Sequence, residues 1–135
     1  MTRYASTTDL ARLGLPSAAL TGVSTATQEA ALDAASALAD GYIGSRKALP
    51  LSSWGDDLRG VVARLAAYDL MVTRGYDPQA GRDDQLRLRS EDSARWLRDF
   101  ADGRIDSPSM VDATPDDTSD EAGTYASSGT RRRWR

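Results

Sequence analysis

The chain of 135 residues contains no cysteine and no histidine. Without cysteine, disulfide bonds and zinc sites built from thiolates are excluded. Without histidine, the chain lacks the usual general base near neutral pH and the commonest side-chain ligand of transition metals. We therefore expect a protein that is not an enzyme and that holds neither a cofactor nor a metal ion.

Long apolar runs are absent as well. No stretch approaches the roughly 18 to 20 apolar residues that a membrane-spanning helix needs. The amino-terminal sequence MTRYASTTDL lacks the apolar centre of a signal peptide. We expect a protein that is soluble and cytoplasmic where it is made, with no membrane partner.

The net charge of −3 is unevenly distributed along the chain. Residues 1–102 hold 12 basic and 14 acidic residues, so this part is close to neutral. Between Ile105 and Thr130 there are acidic residues but no basic one, and the last seven residues read GTRRRWR. The charge pattern indicates a nearly neutral body followed by a tail with separated acidic and basic parts.

Helical periodicity dominates the body, and no alternating stretch is long enough for a strand. Cap residues and apolar spacing predict a short helix ending near Leu13, followed by longer helices over 27–43, 55–75 and 83–103. The predicted fold class is all-α: a small bundle of three main helices plus a short N-terminal helix, with an extended C-terminal arm. We place the helical domain at residues 1–105 and the tail at residues 106–135.

Two adjacent carboxylate pairs, Asp56–Asp57 and Asp83–Asp84, have the spacing of metal or acid–base groups. Each pair, however, stands where a helix is predicted to begin. Acidic residues there interact with free backbone N–H groups and with the helix dipole. We interpret both pairs as helix-start residues.

The tail is rich in Ser, Thr, Asp, Gly and Pro. Such a segment buries too little apolar surface to offset the entropy lost on ordering, so we expect a partner to order it. Its end has three open interpretations: an arginine cluster on nucleic-acid phosphates with the indole stacked on a base, a peptide on an acidic protein surface, or a basic end without a role. The aromatic residues Tyr125 and Trp134 favour a peptide that folds onto a partner.

Four segments of the body carry a resemblance to a known family. They are the start with Tyr4 and Thr8-Asp9-Leu10, DAASALADGYIGSRKALPL at residues 33–51, VVARLAAYDLMVTR at 61–74, and SARWLRDFADGRI at 93–105. In this order they resemble the small all-helical head–tail connector (adaptor) proteins of tailed bacteriophages, in the family typified by a Mu-like phage neck protein. The tail from Asp106 onward matches no pattern of that family.

The resemblance implies a structural protein of the virion neck, assembled in the host bacterial cytoplasm. It implies a ring, expected to hold twelve copies, that lies beneath the portal protein, extends the DNA channel and attaches a stopper or tail-terminator protein. DNA would pass through without sequence-specific binding. We assign the portal contact to Tyr125, Arg131, Arg132, Arg133, Trp134 and Arg135, and the contact between subunits to Tyr42, Arg46, Trp54 and Trp96.

The alternative hypothesis is a small DNA-binding accessory or packaging protein that uses the basic C-terminus. The arginines of the body do not support it, since they are interleaved with Asp and Glu on predicted helices. A steep dependence of DNA affinity on salt concentration would distinguish this alternative from a connector.

Overall fold

The computed structural model describes residues 2–75 and 81–112, and these residues form an all-α fold, which confirms the predicted fold class. Among them there is no β-strand, only one isolated antiparallel bridge between Ser53 and Val111. Of the extended arm expected over residues 106–135, residues 113–135 lie outside the described residues. None of the described helices combines the length and apolarity required to cross a lipid bilayer.

The elements are α1, Thr7–Asp9, which continues as a π-helical turn, Leu10–Gly14; a 3₁₀ turn, Ser17–Leu20; α2, Thr25–Ile43; α3, Asp56–Gly75; and α4, Gly81–Ala101.

Serine caps set the starts of the first two helices. The Ser6 hydroxyl accepts a hydrogen bond from the Asp9 N–H at 3.2 Å, and the Asp9 carboxylate accepts one from the Ser6 N–H at 3.0 Å. This reciprocal pair satisfies two N–H groups that a helix start leaves free. Ser24 caps α2 by accepting from the Thr27 N–H at 3.2 Å. The helix therefore begins two residues earlier than its apolar spacing predicts.

Helix α3 is the centre of the fold. It packs against α2, α4 and the π-helical turn, and it is buried around most of its circumference rather than along one stripe. At Gly14, a Cβ atom would lie 2.8 Å from the Ala63 carbonyl oxygen, so glycine allows the π-helical turn to approach α3 this closely. The buried side chains of α3 are Leu58, Val61, Val62, Ala63, Leu65, Ala66, Ala67, Leu70 and Met71.

The face that α2 buries is narrower than its apolar residues suggest. It is centred on Leu32, Ala35, Ala39 and Ile43, whereas Leu38 is 48% exposed. On α3 the apolar residue Val72 is 49% exposed. Both side chains remain about half exposed, because a helix covered from only some directions cannot bury every apolar side chain it carries.

The N-terminal segment is fastened to α2 through Tyr4, which is 1% exposed. Its backbone N–H donates to the Ser36 hydroxyl at 3.0 Å, and its phenol hydrogen-bonds to the Asp40 carboxylate. Beside it, Arg3 donates two hydrogen bonds to Asp33, at 2.7 and 3.1 Å. The buried Ser36 on the core face of α2 thus has a partner, as a buried polar group requires.

The chain after α4 continues to pack on the helices. Ser107 is fully buried and Met110 is 2% exposed. The Val111 N–H donates to the Ser53 carbonyl at 2.9 Å, and the Ser52 N–H donates to the Val111 carbonyl at 2.8 Å. The boundary expected between residues 105 and 106 therefore differs from the structure, in which the packed body extends to residue 112. Sequence composition missed this because two apolar residues and a few hydrogen bonds are enough to hold so short a segment.

We predict that Phe100→Ala lowers the free energy of unfolding by about 3–5 kcal/mol, because Phe100 is fully buried and its removal leaves a cavity. The control is Leu38→Ala, which should change it by less than about 1 kcal/mol since Leu38 is half exposed. Urea unfolding followed by far-ultraviolet circular dichroism measures both. Similar losses for the two variants would contradict the arrangement of the core.

Candidate functional site

Trp54, one of the four residues assigned to a subunit contact, binds the N-terminal segment of its own chain. Its indole N–H donates to the Tyr4 carbonyl oxygen at 2.9 Å. The two rings pack edge to face, with centroids 4.9 Å apart and planes at 88°. Trp54 is half-buried by these contacts, so one role of this side chain is to hold Tyr4 in place.

Arg46, the second of these residues, closes the C-terminal end of α4. Its guanidinium donates to the carbonyl oxygens of Phe100 at 2.8 Å and Ile105 at 2.9 Å, and lies 4.6 Å from the centroid of the Phe100 ring. An ion pair with Asp106 is longer, at 3.7 Å. The last carbonyls of a helix have no partner within the helix and carry partial negative charge. Arg46 therefore joins the end of α2 to the end of α4.

Trp96 and Tyr42 complete the set, and both are half-buried against the core. The Trp96 ring stacks on Phe100 with centroids 6.0 Å apart and planes at 10°. The Trp96 side chain also lines a cavity between α3 and α4. The structure thus brings Arg46 and Trp96 together around Phe100, while Trp54 lies against the N-terminal segment. Their contact with a second subunit stays a prediction.

The residues assigned to the portal contact lie outside the described residues. They are Tyr125, Arg131, Arg132, Arg133, Trp134 and Arg135.

A cluster around Asp57 was not anticipated from the sequence. The Asp57 carboxylate accepts hydrogen bonds from the Ser107 hydroxyl, the Ser109 hydroxyl at 2.7 Å and the Leu58 N–H at 2.9 Å. Burial raises the pKa of this carboxyl, but the hydrogen bonds outweigh it, and the pKa is lowered overall. The only sequence signal was the pair of serines flanking Pro108, which by itself does not identify an acceptor.

The interpretation of Asp56–Asp57 as helix-start residues is confirmed, since both lie in the first turn of α3. Asp56 forms ion pairs with Arg12 at 3.3 Å and Arg59 at 3.1 Å. Asp84 lies one turn into α4 and pairs with Arg87 at 2.7 Å. Within residues 2–75 and 81–112 there is no group of three carboxylates close enough to hold a metal ion.

We predict that Arg46→Lys lowers the free energy of unfolding by about 1–2 kcal/mol. Both hydrogen bonds come from Nη1, which the shorter lysine side chain does not reach, and an ammonium group lacks the planar surface that contacts the Phe100 ring. Arg95→Lys is the matched control, since Arg95 forms an exposed pair with Asp92. Chemical unfolding at neutral pH compares the two. An equal, negligible effect would show that Arg46 does not hold the end of α4.

A second prediction concerns pH. A carboxyl whose folded pKa is lowered stabilises the fold above its unfolded pKa, near 3.9, and this contribution disappears as pH falls through the folded pKa. Asp57→Asn should therefore destabilise the protein at pH 7 by about 1–2 kcal/mol, the value of the weakened hydrogen bonds. The difference from the wild type should shrink as the pH approaches 3. Urea unfolding across this range measures it, with Asp92→Asn as the exposed control. A pH-independent difference would contradict the role of the Asp57 charge.

Comparison with known proteins adds a family. No curated protein sequence matches the chain. The family described as Bacteriophage Mu, Gp36 matches residues 2–126, which include the whole described body and much of the region beyond it. The match covers nearly the full length of the chain, and the chain belongs to the Bacteriophage Mu, Gp36 family of phage proteins.

Proposed function

We propose that the protein is a head–tail connector subunit that forms a ring beneath the portal, extends the DNA channel and attaches a stopper or tail-terminator protein, without catalysing a reaction. The observation that carries this proposal is membership of a phage protein family over residues 2–126. The resemblance of the helical body to connector proteins supplies the specific role within a phage particle.

A groove between α2 and α3 supports contact between copies of the chain. It has a volume of about 370 Å³ and is lined by the small side chains Thr27, Ala30 and Ala31 together with Leu70 and the exposed Val72. Small residues on a helix allow another backbone to approach closely. A second copy of the body, which presents exposed apolar residues such as Leu38 and Leu88, is the occupant that we propose.

The negative charge of Asp69 at the same groove also favours contact with a neighbouring subunit. Asp69 lines it, and no ion pair to this carboxylate occurs among residues 2–75 and 81–112. Burial raises the pKa of Asp69. A basic side chain from an adjacent copy would lower the pKa of Asp69 toward its ordinary value.

The basic C-terminus, GTRRRWR, is the segment that we propose binds the portal. Arginine recognises carboxylates with paired hydrogen bonds, and tryptophan is a frequent anchor in protein interfaces. One such contact is weak, but copies held in a ring bind together, and their effective concentration multiplies the affinity.

The test is co-sedimentation of the full-length protein with the portal ring of the same phage. The test variant replaces Arg131, Arg132, Arg133, Trp134 and Arg135 by alanine, and the control variant replaces the exposed arginines Arg95 and Arg98. We expect the first to lose at least about tenfold in affinity, since a single anchor residue is worth about 2 kcal/mol or more, and the second to bind as the wild type. A truncation for this purpose should end after Asp112 and not at Gly103, because the intervening residues belong to the packed body.

Two results would overturn the proposal. Equal binding by the tail variant and the wild type would exclude GTRRRWR as the portal-binding segment. Absence of portal binding, together with duplex DNA binding whose affinity falls steeply with salt, would instead indicate a DNA-binding accessory protein.

A further inference from the structure

A cavity of about 340 Å³ lies between α3 and α4. Its walls carry several hydrogen-bond donors next to one aromatic surface. The lining includes Arg64 and Val61 from α3, and Arg89, Ser93 and Trp96 from α4.

Arg64 is the first sign that this cavity receives a ligand. Its side chain is half-buried, yet no hydrogen bond or ion pair to its guanidinium occurs within residues 2–75 and 81–112. Burial lowers the pKa of Arg64, and the positive charge of Arg89 lowers it further. Partly buried charges in proteins are normally paired, so an acidic partner is missing here.

Ser93 is the second, independent sign. It is 3% exposed, and its hydroxyl has no hydrogen-bond partner in the described part of the chain. A buried hydroxyl without a partner is uncommon. Arg89 uses one N–H in a 2.9 Å bond to the Leu13 carbonyl oxygen, which orients its guanidinium and leaves other donors available.

The two carboxylates at the cavity are already engaged elsewhere. Asp57 accepts from the hydroxyls of Ser107 and Ser109, and Asp92 accepts from Arg95 at 2.8 Å. The free groups in the cavity are therefore donors. A carboxylate is the complementary ligand, because its two oxygens match the fork of a guanidinium and can also accept from a hydroxyl.

The sequence of this chain contains such a ligand. The segment Asp116–Glu121 has four carboxylates, and no basic residue occurs between Ile105 and Thr130. The chain leading to it is held by Asp57 at the edge of the same cavity. At about 3.3 to 3.6 Å per extended residue, positions 116 to 121 can reach roughly 13 to 30 Å from Asp112, which is the scale of a small domain.

We propose that Arg64, Arg89 and Ser93 form a carboxylate-binding site between α3 and α4, and that its ligand is the acidic segment Asp116–Glu121 of the same chain. The site holds the middle of the C-terminal region against the body. The basic C-terminus, GTRRRWR, is then left available to another partner. This inference holds for a single chain, whether or not the chain assembles into a ring.

The chain is suited to a direct test because its only lysine is Lys47. In full-length protein with Lys47→Arg, the substitution Arg64→Lys places one side-chain amine at the cavity. A carbodiimide then forms an amide only between an amine and a carboxylate in contact. Arg98→Lys in the same background is the matched control, since Arg98 is exposed and has no ion pair in the described part of the chain.

We expect mass spectrometry of the digested monomer to show a cross-link from position 64 to a residue within 116–121. Its yield should exceed that of the control at position 98 by at least about tenfold, because a bound segment has a far higher local concentration than a freely moving one. Replacing Asp116, Asp117 and Asp120 by Asn and Glu121 by Gln should abolish it.

Three outcomes would overturn the proposal. A cross-link from position 64 only to Asp57 or Asp92 would show that no distant segment occupies the cavity. A cross-link found only between ¹⁵N-labelled and unlabelled copies in a mixture would place the ligand on a second chain. Weaker duplex DNA binding by the full-length variant Arg64→Gln, Arg89→Gln would identify phosphate, and not carboxylate, as the ligand.

Discussion

The burial of α3 around most of its circumference is the constraint on which the rest of the structure depends. A helix in this position needs neighbours on several sides, and α2, α4 and the N-terminal turn supply them. Each neighbour is then free to keep one polar or exposed face. This explains why α2 and α4 contain exposed leucines and ion pairs although they enclose the same core.

The ends of the helices are joined by polar contacts across the body. Arg46 binds carbonyl oxygens at the end of α4, Asp57 holds the serines that follow this helix, and Trp54 holds Tyr4. These three contacts involve residues far apart in sequence. They close the body at the positions where helix termini and loops would otherwise leave backbone groups without partners.

We propose a division of roles within the chain. In this proposal the grooves of the helical body accept other segments, and the C-terminal region supplies acidic and basic residues for contacts with the body and with another protein. In a connector, a rigid body suits repetition around a channel, and a tethered charged end suits attachment to a neighbouring protein.

The sequence by itself determined the helical class, the approximate positions of the three long helices and the helix-start role of Asp56 and Asp57. These features depend on local periodicity and on caps within a few residues. Only the tertiary structure decided which apolar residues are buried, as Leu38 and Val72 show. It also showed that residues 106–112 belong to the body, that Arg46 binds carbonyl oxygens at the end of α4, and that Arg64 and Ser93 line the same cavity. Each of these depends on contacts between distant parts of the chain, which the spacing of residues along one helix does not encode.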